Sequence, residues 1–211
     1  MKKSNKILTI AVVLFSMTAF AQQNDVRYEK GFEFEYSRQV NTWHDQVGEP
    51  GGFKFDAYLI KPVNSVKLMF VNGAQLGDYL FFGAGIGLDY AKWNVEWRTM
   101  AGSMQNDEYS VSMPIFARIK FLFFNKKVAP FLNFDVGGNV LLASIWKMEA
   151  RNNCYRNHGL MMKPGIGLNI SFDSGKQFYF VVQYDYNYIP FNHYYPDHNI
   201  HSIGTKIGFL F

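Results

Sequence analysis

His201–Phe211 reads HSIGTKIGFLF. Ile203, Thr205, Ile207, Phe209 and Phe211 share one face, and Ser202, Gly204, Lys206, Gly208 and Leu210 share the other. A period of two marks a β-strand. An aromatic-rich amphipathic strand ends this chain, and an export signal begins it. That combination predicts an outer-membrane β-barrel, with one strand face on lipid and the other on a polar lumen.

The same pattern extends upstream. Over Gln177–Tyr188, Phe178, Phe180, Val182, Tyr184, Tyr186 and Tyr188 alternate with Tyr179, Val181, Gln183, Asp185 and Asn187. Spanning strands need about 9–11 residues. Gly31–Val40, Tyr79–Tyr90, Val111–Phe124, Pro130–Leu142 and Leu160–Phe172 follow the same rule. The second strand is ambiguous, because Phe53–Ile60 and Val66–Val71 both alternate around Pro62 and Asn64. Proline interrupts a ladder, and single-chain bacterial barrels have even strand numbers. We therefore take Ser65–Asn72 as the membrane part, with Phe53–Lys61 extending above it beside the first loop. The fold class is all-β: an eight-stranded antiparallel transmembrane β-barrel with up-and-down meander topology. Short links at Asn72–Asp78, Asn125–Val128 and Asp173–Lys176 fall on the periplasmic side. Longer ones at Thr42–Gly52, Lys92–Tyr109, Ser144–His158 and Pro190–Ile200 fall outside.

Lys2, Lys3 and Lys6 precede the apolar run Ile7–Phe15, and Ala19-Phe20-Ala21 offers a small-x-small cleavage site. This predicts a signal peptide over 1–21 and a barrel domain over 22–211. The run is too short for a spanning helix. Without the signal, the net charge falls from +4 to +1, which removes the case for nucleic-acid binding. Cys154 is the only cysteine, so no intramolecular disulfide forms. Trp43, Trp93, Trp97 and Trp146, with Tyr184, Tyr186 and Tyr188, are expected as an outer aromatic girdle. Phe81, Phe123, Phe172, Phe178, Phe209 and Phe211 form the inner band. Alternation alone also fits a secreted β-sandwich; the sorted aromatics favour the barrel.

The runs GAGIGLDY (Gly83–Tyr90), MPIFARIKFLF (Met113–Phe123), KVAPFLNFDVGG (Lys127–Gly138) and KPGIGLNISF (Lys163–Phe172) carry a family resemblance. They resemble the small "outer membrane protein beta-barrel domain" proteins of Gram-negative bacteria. The resemblance covers Tyr79–Phe211 well and implies the fold and an outer-membrane location, not an activity. Ile207, Phe209 and Phe211 are similar to the signal read by the outer-membrane assembly machinery, with the usual upstream glycine displaced to Gly204 or Gly208.

The inward positions carry acids Glu33, Glu35, Asp89, Asp135 and Asp185, and bases Lys67, Arg118, Lys120, Lys163 and Lys206. An eight-stranded bore holds side chains and little else, and an unpaired buried charge costs several kcal/mol. These ten are therefore expected as a lumen of ion pairs, with Lys206 meeting Glu33 or Glu35. Phe116, Phe131 and Tyr179 need space that inward Gly83, Gly85, Gly87, Gly165, Gly167 and Gly208 leave. Glu33 and Glu35 share a face as paired carboxylates do in acid–base catalysis; the nearby bases favour structural pairing.

The expected role is structural or surface-interacting, through the external loops. The expected partners are outer-membrane lipids, lipopolysaccharide and the export and assembly machinery. A monomer is expected, with no cofactor and no enzymatic activity. Three alternatives stay open. One is a small porin-like channel. Another is metal or haem capture by His193, Asp197, His198 and His201, whose imidazoles and carboxylate suit a transition metal. The last is a lipid-modifying barrel enzyme, for which adjacent His201 and Ser202 give poor geometry on a regular strand. Gly83–Gly87 lies within a strand and is no dinucleotide fingerprint.

Overall fold

The computed structural model describes residues 26–41, 44–48, 54–99, 102–145, 159–189 and 198–211. The expected signal peptide, Trp43, Trp146, Cys154, His158, His193 and Asp197 lie outside them. Nine strands run in chain order: β1 (Val26–Gln39), β2 (His44–Gly48), β3 (Lys54–Leu76), β4 (Leu80–Thr99), β5 (Gly102–Leu122), β6 (Val128–Ile145), β7 (Gly159–Ser171), β8 (Gln177–Ile189) and β9 (His198–Leu210). Every pairing is antiparallel, and the order is β1-β9-β8-β7-β6-β5-β4-β3-β2. β1 also pairs with β3, so eight strands close a barrel and short β2 stays outside the ring. Closure leaves no edge within the membrane, where an unpaired amide has no water to bond.

Alternation decides which side chains face the bore. In β1, Glu29, Gly31, Glu33, Glu35, Ser37 and Gln39 are buried, and the residues between them are exposed. The outer surface is an apolar belt: Phe32, Phe34, Leu68, Ile86, Leu88, Ile115, Leu132, Ile166 and Leu168 are all exposed. A contiguous apolar exterior of this extent belongs in lipid. Among the described residues no helix is long and apolar enough to cross a membrane; the crossing is made by strands.

The ambiguous second strand is one element. β3 runs unbroken from Lys54 to Leu76, with register shifts between Leu59 and Lys61 and between Lys61 and Asn64. Its outer part pairs with β2, inside the segment expected as a loop at Thr42–Gly52. Two further expectations change. The link expected at 72–78 shrinks to a turn at 77–79, with Gly77 at φ 56°, a left-handed value that favours glycine. The segment expected as a loop at Lys92–Tyr109 is mostly strand, because β4 and β5 stay paired up to Thr99 and Gly102. Hydrogen bonding satisfies these backbones better than an open loop would. Together β2, β3, β4 and β5 raise a sheet beyond the belt on one side of the barrel.

Inside, large side chains lie over glycines. A Cβ on Gly85 would stand 2.2 Å from Phe116 Cζ, and one on Gly208 2.2 Å from Tyr179 Cζ. Gly167 does the same for Phe131, and Gly87 for Met69. In each case the glycine is the cross-strand partner of the large residue. Phe81, expected in the lipid-facing inner band, is instead buried in the bore beside Gly73 and Gly83. Its odd position shares the inward face with Gly83 and Gly85.

Overpacking typically costs about 1–3 kcal/mol. Gly85→Ala should therefore lower the temperature at which the folded band disappears in unheated electrophoresis, and adding Phe116→Leu should restore much of the loss. An unchanged transition in the single variant would show that the ring has other room.

Candidate functional site: the lumen and the outer rim

Two charge-balanced groups fill the middle of the bore. In the first, Arg118 of β5 reaches across to β1 and β6. Its Nε and Nη2 donate to the two Asp135 oxygens at 2.6 and 2.7 Å, and Nη2 also donates to Glu33 Oε2 at 3.0 Å. Nη1 donates to Glu33 Oε1 and, at 3.2 Å, to the Tyr179 hydroxyl, which itself donates to Glu33. Lys206 of β9 closes the group, 3.0 Å from Asp135 Oδ2. Its separation from Glu33 is 3.9 Å, so the expected Glu33 contact exists but Asp135 is the nearer partner. Glu35 sits opposite Lys206 in register yet spends its carboxylate elsewhere.

That other place is the second group. Lys67 of β3 and Lys163 of β7 both donate to Glu35 Oε1, at 2.5 and 2.7 Å. Lys67 also bonds Asp185 of β8 at 3.1 Å, and Lys163 lies 3.8 Å from the same carboxylate. Each group holds two acids and two bases. Asn133 and Gln183 donate to Asp135 and Asp185. Asp89 of β4 accepts from Ser65. Lys120 is held without a carboxylate in ion-pair range among the described residues. Asn169 Oδ1 accepts from it at 2.8 Å, and the Phe131 and Tyr179 rings lie 4.7 and 4.8 Å away. Gln177 links this level to Glu29, near the short-turn end.

All ten expected lumen residues are buried, none more than 8% exposed. Strand parity placed Asn133, Asn169, Tyr179 and Gln183 inward but did not assign them to the polar network, and Ser65, Gln177 and Glu29 went unnamed there. Each shares the inward parity of its strand, and that was the available signal.

At the outer rim, Asn41 extends the closing seam past the end of β1. Its Nδ2 donates to Asn199 O at 2.8 Å, and its Oδ1 accepts from His201 N at 2.9 Å. His201 shares a hydrogen bond with the Tyr184 hydroxyl, and its ring lies 5.4 Å from Tyr186. Ser202 is buried in the bore while its neighbour His201 is half-buried on the other face, so the two form no nucleophile–base pair. His198 is placed in β9, but its side chain is outside the described set, as are the side chains of Trp93 and Trp97 in β4. Among the described residues no three His, Cys, Asp or Glu stand together as a metal site. At the other end, Phe209 and Phe211 face outward, with Lys30 5.7 Å above the Phe211 ring. Above the belt, a hydrogen bond from the Lys92 ammonium to Asp107 holds its proton more firmly than in a free lysine.

A closed eight-strand antiparallel ring, a lipid-facing apolar surface and a charged interior define an outer-membrane β-barrel. A solved structure shares the fold. The outer membrane protein OprG from Pseudomonas aeruginosa superposes with a TM-score of 0.52 at 10% identity, over 87% of this chain and 95% of that one. Neisserial surface protein A superposes with a TM-score of 0.49 at 12% identity, over 88% and 97%. By sequence, no family model and no curated protein matches the chain.

Removing one partner of a buried ion pair costs about 3–5 kcal/mol. Arg118→Met strands two carboxylates, so the variant should lose most of its folded band at temperatures the parent withstands. Lys206→Glu, which adds a third acid beside Arg118, should do the same. Parental heat resistance in both would mean that the network is not structural.

Proposed function

We propose that this barrel serves as a closed structural and surface-interacting component of a Gram-negative outer membrane, meeting its partners at its outer end. The observation that carries the reading is the filled bore. Arg118 of β5 reaches Glu33 of β1 across it, and Lys163 of β7 reaches Glu35 of β1. Rings over glycines occupy the space on either side. A hydrated solute would have to break charge-assisted hydrogen bonds whose replacement by water is hindered by the same packing. With the bore occupied, the sheet of β2, β3, β4 and β5 is the part of the chain offered to the exterior. Binding residues collect on such projections from rigid scaffolds.

The proposed partners are outer-membrane lipid and lipopolysaccharide around the belt, the export and assembly machinery during biogenesis, and a surface ligand at the sheet. The unit is proposed to act as a monomer and without catalysis.

Planar-bilayer recording tests the reading. Purified barrel should add no discrete conductance steps, while Arg118→Ala, if recovered folded, should open small ones. Steady single-channel steps from the parent protein would replace this reading with a porin-like channel.

A further inference from the structure

Where each strand leaves the apolar belt at its outer end, one outward side chain marks the boundary. On β9, β1, β3 and β4, which are neighbours in the ring, these are His201, Arg38, Asn64 and Lys92. Arg38, Asn64 and Lys92 are in direct register: Arg38 pairs with Asn64, and Asn64 with Lys92. Arg38 and Lys92 are thus two strands apart, about 10 Å at the usual strand spacing. Elsewhere on the rim the boundary is aromatic or aliphatic, with Tyr109, Leu142, Leu160 and Tyr184. The cationic residues occupy one sector, not the whole girdle.

The sector is also prepared. Asn64 Oδ1 accepts from the Tyr36 hydroxyl at 3.1 Å, which orients the amide and leaves its NH2 outward. Lys92 is fixed 2.8 Å from Asp107 and 5.6 Å above the Tyr109 ring. The Arg38 guanidinium is exposed and has no hydrogen-bond or ion-pair partner among the described residues. At the short-turn end Lys30 over Phe211, Lys126 over Phe124 and Lys127 with Asp173 are engaged by their own chain, as Lys92 is; Arg38 differs in having its guanidinium free among the described residues. An arginine that faces the headgroup layer, with its planar fork free, is suited to a phosphoryl group in two-pronged contact.

We propose that this sector is a binding site for a phosphorylated glycolipid of the outer leaflet. Arg38 and Lys92 contact phosphoryl oxygens, and Asn64 and His201 contact sugar hydroxyls. The acyl chains run down over Tyr36, Val66 and Leu68, which lie beneath Arg38 and Asn64 on β1 and β3. The belt supplies affinity for any lipid; the cation row selects the phosphate, and the polar groups beside it select the sugar. The site rests on the membrane reading above but not on the closed bore.

The test uses the full barrel in phosphatidylcholine nanodiscs doped with diphosphoryl lipid A, dephosphorylated lipid A or phosphatidylglycerol. Lipid retained after detergent extraction is counted by native mass spectrometry. The parent should retain diphosphoryl lipid A above the other two. Arg38→Ala should weaken retention about fivefold, the scale of one cation at an anionic lipid surface, while Arg38→Lys should lose less. Lys30→Ala, at the opposite rim, should change nothing. Unheated electrophoresis of each variant reports folding separately, and conductance reports the bore. Equal retention of dephosphorylated lipid A, or full retention by folded Arg38→Ala, would overturn the site. Equal retention of phosphatidylglycerol would overturn the choice of a glycolipid.

Discussion

The bore depends on Arg118. Its guanidinium joins carboxylates from β1 and β6 and a hydroxyl from β8, and Lys206 from β9 seals the same carboxylate of Asp135. The second group adds β3 and β7, and the Ser65–Asp89 bond adds β4. Every strand of the ring therefore contributes a polar side chain to one of these bonded groups in the bore. Partners as distant in sequence as Tyr179 and Glu33, 146 residues apart, meet in the bore, so no hairpin alone could build it. Buried ion pairs add little net stability compared with a well-packed apolar core. Their larger effect here concerns register. A one-residue slip of any strand turns its whole inward set outward, and for β1 that would drive Glu33 and Glu35 into lipid. The charges make wrong registers costly.

Steric complementarity supports the electrostatics. A phenyl or phenol ring lies over a glycine on the neighbouring strand, so the wall is thin where the plug is thick. Tyr179 belongs to both systems, since its ring covers Gly208 and its hydroxyl bonds Glu33. Lys120 shows how the two combine. Its ammonium sits between rings and amide oxygens, and Gln177 joins it to Glu29. The barrel is asymmetric along its axis. The short-turn end is ringed by Phe123, Phe172, Phe209 and Phe211, and the other end carries the sheet and the Arg38–Lys92 sector.

Strand parity was legible in the sequence, and with it both the membrane face and the lumen face. Glu33, Glu35, Arg118 and Lys206 read as inward because each alternates with large apolar neighbours. Their pairing was not legible. Parity names a face, but the height of a residue in the bore depends on the stagger between strands, and that is set by all turns together. Lys206 is in register with Glu35 yet binds Asp135 across the lumen. The outer extension of β4 and β5 was missed for another reason. Its residues alternate, as in Trp93, Val95 and Trp97 against Asn94, Glu96 and Arg98, but the stretch lies beyond the length a membrane requires. Counting to 9–11 residues ended the strand too early. The reading of Phe53–Lys61 as an extension succeeded because even strand number constrained it.

The central claim is that charges on opposite walls are energetically joined. A double-mutant cycle between Glu33 and Arg118, measured by equilibrium unfolding in detergent micelles, tests it most directly. Glu33→Gln, Arg118→Met and the double variant isolate the pairwise term if each folds. The account predicts a coupling of at least about 2 kcal/mol, at the upper part of the range for buried partners, with the double variant more stable than the sum of the single losses allows. Additive losses, with coupling near zero, would contradict it and leave the two side chains as independent residents of a wet lumen.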